Sequence, residues 1–224
     1  MSILKNEIII PHEKFIRWFW RIIGVLVFLH IALQGIHYYV QELPWLLREI
    51  LDMDEEESFA TWFSSIFLFI SSILLFSIAH SKENDAYARH WYGLALGFCL
   101  LSVDEVVGVH ETFNTITEVA WTVPATWVIL IIFLIYLKFL FHLPPAARKQ
   151  FLIAGSVFLG GGLLVEHLAD FYVEAFDMDN FGYQMLTAFE EFLEMAGVVL
   201  FIKALGNYLI NDNSDVVLIN IKIK

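Results

Sequence analysis

The sequence has few of the features that define several familiar classes of protein. It contains one cysteine, Cys99, so a disulfide framework is impossible. Lys and Arg number 13 against 25 Asp and Glu, and the resulting net charge of −12 argues against nucleic acid as a partner. The glycines form neither a phosphate-cradling nor a dinucleotide-binding loop, and the Gly-x-Ser-x-Gly elbow of serine hydrolases is missing. The function must therefore be sought in other residues.

Apolar residues, in contrast, are abundant. They make up 58% of the 224 residues, and the mean hydropathy is +0.67. Soluble domains average about 45–50% apolar residues, so the composition predicts a multi-pass membrane protein. The first apolar segment is too long for the core of a signal peptide and is not followed by a small-residue cleavage site, which favours a membrane helix.

The long apolar segments predict an all-α membrane protein, a bundle of six transmembrane helices that forms a single domain over residues 1–224. A span needs about 20 mostly apolar residues. The expected spans are residues 15–39, 59–79, 90–111, 124–142, 151–172 and 183–208. A short helix is also expected over residues 46–51, in the first connector.

The basic residues predict how this bundle is oriented. Those near helix ends fall on one side of the six predicted spans, whereas the other side is acidic, with Arg48 as its one basic residue. Because short loops rich in Lys and Arg stay in the cytoplasm, both termini are expected there, with the protein in the cell inner (plasma) membrane. Membrane lipid is then an expected partner.

Three of the predicted helices carry acids and histidines at membrane depth. A charged side chain at the centre of a membrane helix costs about 2.5–3.5 kcal/mol on insertion scales, and such residues usually mark function. In the predicted orientation all three groups lie in the outer half of the membrane, at similar levels. The candidate metal ligands are Asp104, Glu105, His110 and Glu111 on the third helix, Glu166, His167 and Asp170 on the fifth, and Glu190, Glu191 and Glu194 on the sixth.

We expect the three groups to form one site that holds a cation. So many carboxylates cannot all stay ionised side by side at low dielectric, so either several are protonated or a bound cation compensates them. Mixed carboxylate and imidazole ligands point to one or two divalent ions of Fe, Mn or Zn. Four carboxylates and two histidines would match the di-iron bundle proteins in ligand count, but the Glu-x-x-His spacing of those proteins is missing.

Two more specific metal motifs are excluded, and a run of glycines bears on the geometry. Asn114 stands where a zinc-protease helix that begins at His110 needs its second histidine. Ala188 replaces the glutamate that a calcium loop starting at Asp177 needs at its twelfth position. The three glycines at 160–162 would let a neighbouring helix approach closely or let the fifth helix bend.

Other interpretations of these residues remain open. The acids could be buried and hydrogen-bonded to one another, to hydroxyls or to trapped water, and His110 and His167 could be ordinary core histidines. His30 and His37 are interpreted as packing residues, although they share one stripe of the first helix with Gln34. The acidic run Asp52–Glu57 is interpreted as a solvated loop.

Two classes of function fit the predicted site. As an enzyme, the protein would use its metal to activate water or dioxygen against a membrane-soluble, lipophilic small molecule, while a nearby carboxylate moves protons. The alternative is a cation or proton pathway, because intramembrane Asp, Glu and His also form relays. The inner halves of the third, fifth and sixth helices are nearly all apolar, which favours a closed site. A homo-oligomer is compatible with both classes.

Three stretches resemble a recurring pattern in uncharacterised bacterial multi-pass membrane proteins. They are Thr61–Ser65, then Leu101–Glu111 with the first acidic group, and Glu190–Gly197 with the last. The resemblance extends from the second predicted helix to the sixth. It implies a membrane helical bundle and carries no activity with it.

Overall fold

The computed structural model describes residues 8–10, 12–116, 120–211 and 221–223, and almost all of these are helical. The helices are α1 (His12–Tyr39), α2 (Trp45–Leu51), α3 (Phe59–Ser81), α4 (Ala88–Val107), α5 (Val109–Ile116), α6 (Thr122–His142), α7 (Pro145–Leu159), a π-helical segment (Gly160–Val165), α8 (Glu166–Phe176) and α9 (Phe181–Asn211). Two short strands, β1 (Ile8–Ile10) and β2 (Ile221–Ile223), pair in parallel. The prediction of an all-α fold is confirmed, apart from these two three-residue strands.

Helix α9 is the centre of the bundle. It packs against α1, α3 and α7, and most of its residues from Met195 to Leu209 are buried. The core around it includes Leu75 and Ile78 of α3 and Trp91 of α4, each at most 1% exposed. This apolar core occupies the half of α9 that follows its three glutamates, so the acids lie at one end of the bundle.

Reciprocal serine hydrogen bonds hold α4 against α3 just before the acids of α4. The hydroxyl of Ser65 donates to the backbone oxygen of Ser102, and the hydroxyl of Ser102 donates to the backbone oxygen of Ser65, both at 2.8 Å. Each hydroxyl is thereby satisfied in a buried position. The pair fixes the position of α4 along α3, and with it the position of Asp104 and Glu105, which follow Ser102 on α4.

Four of the described helices are long and apolar enough to cross a membrane, whereas the sequence predicted six spans. The four are His12–Tyr39, Phe59–Ser81, Thr122–His142 and the continuous run Pro145–Phe176. The other two predicted spans exist as α4 and α9. Helix α4 ends in acids, and α9 carries three glutamates and Lys203 within a bundle that surrounds much of it with protein.

Two predicted helices are also less regular than expected. The third was predicted to run unbroken over residues 90–111, but Gly108 adopts a left-handed conformation (φ 60°, ψ 41°) and ends α4. The fifth, predicted over 151–172, runs from Pro145 to Phe176 and contains the π-helical segment. Both interruptions lie directly beside predicted site residues and change the directions of the side chains that follow.

Candidate functional site

A cavity of about 950 Å³ lies at the acidic end of the bundle. Its walls come from helices α3 to α9, the π-helical segment and the connector that follows α2. Ten carboxylates line it: Asp54, Glu56, Asp104, Glu105, Glu166, Asp170, Glu174, Glu190, Glu191 and Glu194. Among the described lining residues there is neither Lys nor Arg, and the imidazoles of His110 and His167 are the basic groups.

Nine of the ten predicted ligands line this one cavity. The tenth, Glu111, has a side chain that lies outside the described part of the structure. The electrostatic neighbours of Glu190 include Glu166 and Glu194, and Glu105 is a neighbour of both Glu191 and Glu194. The acids of the three predicted helices therefore face a common space.

The predicted compact group of metal ligands is not present in the described side chains. No three His, Cys, Asp or Glu among them come close enough together to hold one ion. Histidines and carboxylates of the site meet instead in pairs, such as His110 with Asp104. His167 is another such case, with its Nδ1 3.9 Å from Asp170 Oδ2 on the same helix.

The break at Gly108 turns His110 back towards α4. On a continuous helix, Asp104 and His110 would point in different directions, but here His110 Nδ1 lies 3.0 Å from Asp104 Oδ2. The carboxylate of Glu56 packs where a side chain at position 108 would lie. Glycine is thus favoured here by its positive φ, and a side chain would also displace the carboxylate of Glu56.

A tryptophan connects this pair to α8. The indole ring of Trp121 packs against the His110 ring, with centroids 5.1 Å apart, and its Nε1 donates a hydrogen bond to Glu166 Oε1. The contacts run from Asp104 through His110 and Trp121 to Glu166, across α4, α5, the start of α6 and α8. Trp121 was not among the predicted site residues.

Glycines of the π-helical segment let α9 approach the cavity closely. A Cβ at Gly161 would lie 2.7 Å from the backbone oxygen of Glu190, and one at Gly162 would collide with the carboxylate of Glu194. The sequence predicted either a close approach or a bend here, and the close approach is present. The π-helical geometry, frequent at functional sites, was not predicted.

A buried polar network holds the connector between α2 and α3 in place. Its members are His30 and Gln34 of α1 (both 0% exposed), Asp52 (2%) and Gln184 of α9 (7%). Gln34 Nε2 donates to Asp52 Oδ2 at 2.5 Å and to Gln184 Oε1 at 2.9 Å. His30 Nε2 donates to the backbone oxygen of Gln184 at 3.0 Å, and the amide of Met53 donates to His30 Nδ1 at 3.0 Å.

This network corrects the interpretation of residues 52–57 as a solvated loop for its first two residues, whereas Asp54, Glu55 and Glu57 are exposed. Asp52 and Met53 are each 2% exposed, and Asp54 and Glu56 line the cavity. The signal that could have revealed this was the pair His30 and Gln34, one turn apart on α1, since buried polar groups need partners.

The carboxyl of Asp52 is held in its ionised form by its surroundings. Burial acts to raise the pKa of Asp52, but the contacts with His30 and the hydrogen bonds from Gln34 and the Asp54 amide outweigh burial, so the pKa lies below its ordinary value. A charged group is therefore part of what positions the acidic connector.

The fold and the cavity together define a class: an α-helical bundle with four helices long and apolar enough to span a membrane, built around an acidic cavity. Within that class, the chain belongs to the family described as a domain of unknown function (DUF8692), whose model matches residues 19–207. This confirms the prediction of an uncharacterised family. Comparison with curated proteins and with solved structures gave no match.

Proposed function

We propose that this protein is a multi-pass membrane protein that binds one or two divalent transition-metal ions, Fe, Mn or Zn, in its acidic cavity. In this proposal both termini face the cytoplasm, the cavity opens towards the outer side, and the metal acts on a membrane-soluble substrate. The four apolar helices support the location, and the charge imbalance of the cavity supports the ligand.

The observation that carries the proposal is ten carboxylates around one cavity whose described lining has neither Lys nor Arg. Two ionised carboxylates about 4 Å apart repel each other by about 4 kcal/mol at an effective dielectric of about 20. Protons or bound cations must therefore compensate most of these charges. Carboxylates with two imidazoles form a donor set suited to Fe, Mn and Zn.

Metal binding would require a modest rearrangement, because the described side chains do not form a ready group of three ligands. Glu190, Glu191 and Glu194 lie on one face of α9, and their flexible side chains could close on an ion shared with Glu105 or Glu166. A metal held by these residues would supply Lewis-acid chemistry for the activation of water or dioxygen. A carboxylate left outside the coordination shell would then accept the proton.

A cation or proton pathway is the less favoured function. Such a pathway needs polar groups beyond the cavity, but the part of α9 that follows Glu194 is packed in apolar core, with Val199 and Leu205 fully buried. That packing favours a site closed towards the inner side. Mn²⁺ uptake by proteoliposomes distinguishes the two functions, since a closed site binds the ion without transferring it.

Elemental analysis of the purified protein tests the proposal. Wild type, Glu190→Gln and Glu194→Gln would be equilibrated with Mn²⁺, Fe²⁺ or Zn²⁺ and freed of loose metal by gel filtration. We expect metal to be retained by wild type and depleted in both variants. Glu83→Gln, on the exposed turn between α3 and α4, should retain as much as wild type. Equal and negligible metal in all four proteins would reject the proposal.

A further inference from the structure

We propose that the cavity binds a single-chain amphiphile with an amine head group, which reaches it sideways from the lipid bilayer. This inference rests on the membrane location proposed above and names the class of substrate. The amine would lie among the carboxylates, and the hydrocarbon chain would occupy an apolar end of the same cavity.

The lining of the cavity is divided along its length. Its apolar end is formed by Leu68, Leu101, Ile129, Phe158, Leu159 and Leu163. On α4 this end precedes the acids by one turn, and from α7 to α8 the lining changes from Phe158 to Glu174 over about 24 Å of helix. On α6, Trp121 lies at the acidic end, and Ile129 lies about 12 Å further along the helix.

The cavity is much larger than a metal site needs. An ion with six waters occupies roughly 200 Å³, at about 30 Å³ per water, whereas the cavity holds about 950 Å³. That volume is typical of pockets that enclose an organic ligand. A metal and the head group of an amphiphile therefore fit together, with space left for a chain.

The middle of α6 packs little against the bundle, which supports entry of a ligand from the side. The helix is fixed near its start by the hydrogen bond from Trp121 to Glu166 and near its end by the hydroxyl of Tyr136, which donates to the backbone oxygen of His90 at 3.0 Å. Between these points every residue from Trp127 to Ile135 except Ile129 is exposed. A helix packed along its length would bury one face, so the middle of α6 stands away from the bundle beside the apolar end of the cavity.

The charges of the lining select the head group. A phosphate, sulfate or carboxylate head group would meet neither Lys nor Arg in the described lining, whereas the carboxylates that the metal does not bind remain available as acceptors. A protonated amine instead offers three donors and forms charge-assisted hydrogen bonds with carboxylates. The aromatic faces of Trp121 and Phe171, also in the lining, suit a cation as well.

Binding of hexadecylamine to the full chain in nanodiscs of neutral lipid tests this inference. Retained ligand would be measured against empty nanodiscs, with hexadecanoate and butylamine as comparison ligands. We expect saturable binding of hexadecylamine and at least about tenfold weaker binding of both others, because one lacks the positive charge and the other lacks buried methylenes. Hexadecanoate or butylamine binding as tightly as hexadecylamine would overturn the inference.

A matched pair of variants on α6 locates the chain. Ile129→Trp fills the apolar end, whereas Ile131→Trp alters a residue that is 56% exposed. Ile129→Trp should weaken hexadecylamine at least about tenfold, equivalent to leaving about two methylene groups unburied, and Ile131→Trp should not. The proposed position of the chain would be contradicted if both variants weakened hexadecylamine binding equally, or if neither variant weakened it. A dimer that buries α6 and excludes the amine would contradict it as well.

The metal content of the same samples separates this inference from the proposed function. Ile129→Trp leaves every carboxylate in place and should retain metal as wild type does. Binding of the amine without metal would reject the metal proposal alone. Retention of metal without binding of the amine would reject only the inference that the cavity binds an amphiphile.

Discussion

A side chain at Gly161 would collide with the backbone of Glu190: a Cβ there would lie 2.7 Å from the Glu190 carbonyl oxygen. The contact is between backbone and Cβ, so rotation of a side chain cannot relieve it. Helix α9 therefore lies as close to the π-helical segment as it does because position 161 is glycine, and the glutamates of α9 take their position in the cavity from this contact.

Gly161→Ala should therefore destabilise the protein by about 1–3 kcal/mol, the usual cost of overpacking. Gly160→Ala is the matched control, since nothing lies within 4 Å of a Cβ there and its backbone is right-handed helical. Alanine at 160 should be neutral or stabilising by up to about 1 kcal/mol. Unfolding in detergent would measure both variants. Equal stability of the two would show that the close approach does not depend on Gly161.

The sequence predicted a close approach or a bend at these glycines, but not the π-helical geometry around them. Three consecutive glycines indicate room for a neighbouring backbone, and that inference needs only the absence of side chains. A π-helical turn depends on which hydrogen bonds form, and glycine accepts either geometry. The directions of Glu166 and His167 after that turn could therefore not be calculated from a regular helical period.

Gly108→Ala should be more disruptive than an ordinary glycine substitution. Its φ of 60° costs a residue with a Cβ about 1–2 kcal/mol, and the new methyl group would meet the carboxylate of Glu56. Adding Glu56→Ala to Gly108→Ala should recover only the part of the lost stability that comes from the collision with the Glu56 carboxylate. Gly97→Ala, within α4 and with open space around it, is the control. A loss no larger than that of Gly97→Ala would contradict the requirement for glycine at 108.

The break at Gly108 also explains why the partner of His110 was not predicted. A helical period of 3.6 residues places Asp104 and His110 in different directions, and glycine inside a helix is tolerated often enough that it does not by itself predict a break. The observed 3.0 Å contact between His110 and Asp104 arises because Gly108 adopts a left-handed backbone conformation, which changes the direction of the chain between the two residues. Periodicity predicted that these side chains face the bundle, and local backbone geometry decided which of them meet.

The ionised Asp52 predicts a pH dependence of stability. Its pKa lies below the ordinary value in the folded protein, so its contribution is fully present above the ordinary pKa of about 4 and is lost as the pH falls through the lowered value. Asp52→Asn should be less stable at neutral pH and lose less stability on acidification. Glu83→Gln, on an exposed turn, should follow wild type. Parallel pH profiles for all three proteins would contradict this role of Asp52.

The acidic connector shows where composition misleads. A run of acids between helices is usually solvated, and nothing within residues 52–57 indicates otherwise. Asp52 is nevertheless buried, and the reason lies on another helix, where His30 and Gln34 need polar partners away from water. The positions of the apolar segments along the chain, in contrast, correctly predicted that the acids of α4, α8 and α9 lie at the same end of the bundle. Nine of the ten predicted residues line one cavity there.

Trp121→Phe should release the start of α6 from α8. Phenylalanine keeps a ring against His110 but cannot donate to Glu166, so the variant loses a hydrogen bond to a carboxylate, worth about 1.5–3 kcal/mol. Tyr136→Phe removes a bond to a neutral carbonyl at the other end of α6 and should cost only about 0.5–1.5 kcal/mol. Trp127→Phe, at a residue 63% exposed, should cost little. Hydrogen exchange of the first turn of α6 should increase in Trp121→Phe and remain unchanged in Trp127→Phe. Unchanged exchange in both would mean that other contacts hold α6, since the indole bond would then contribute nothing measurable to its position.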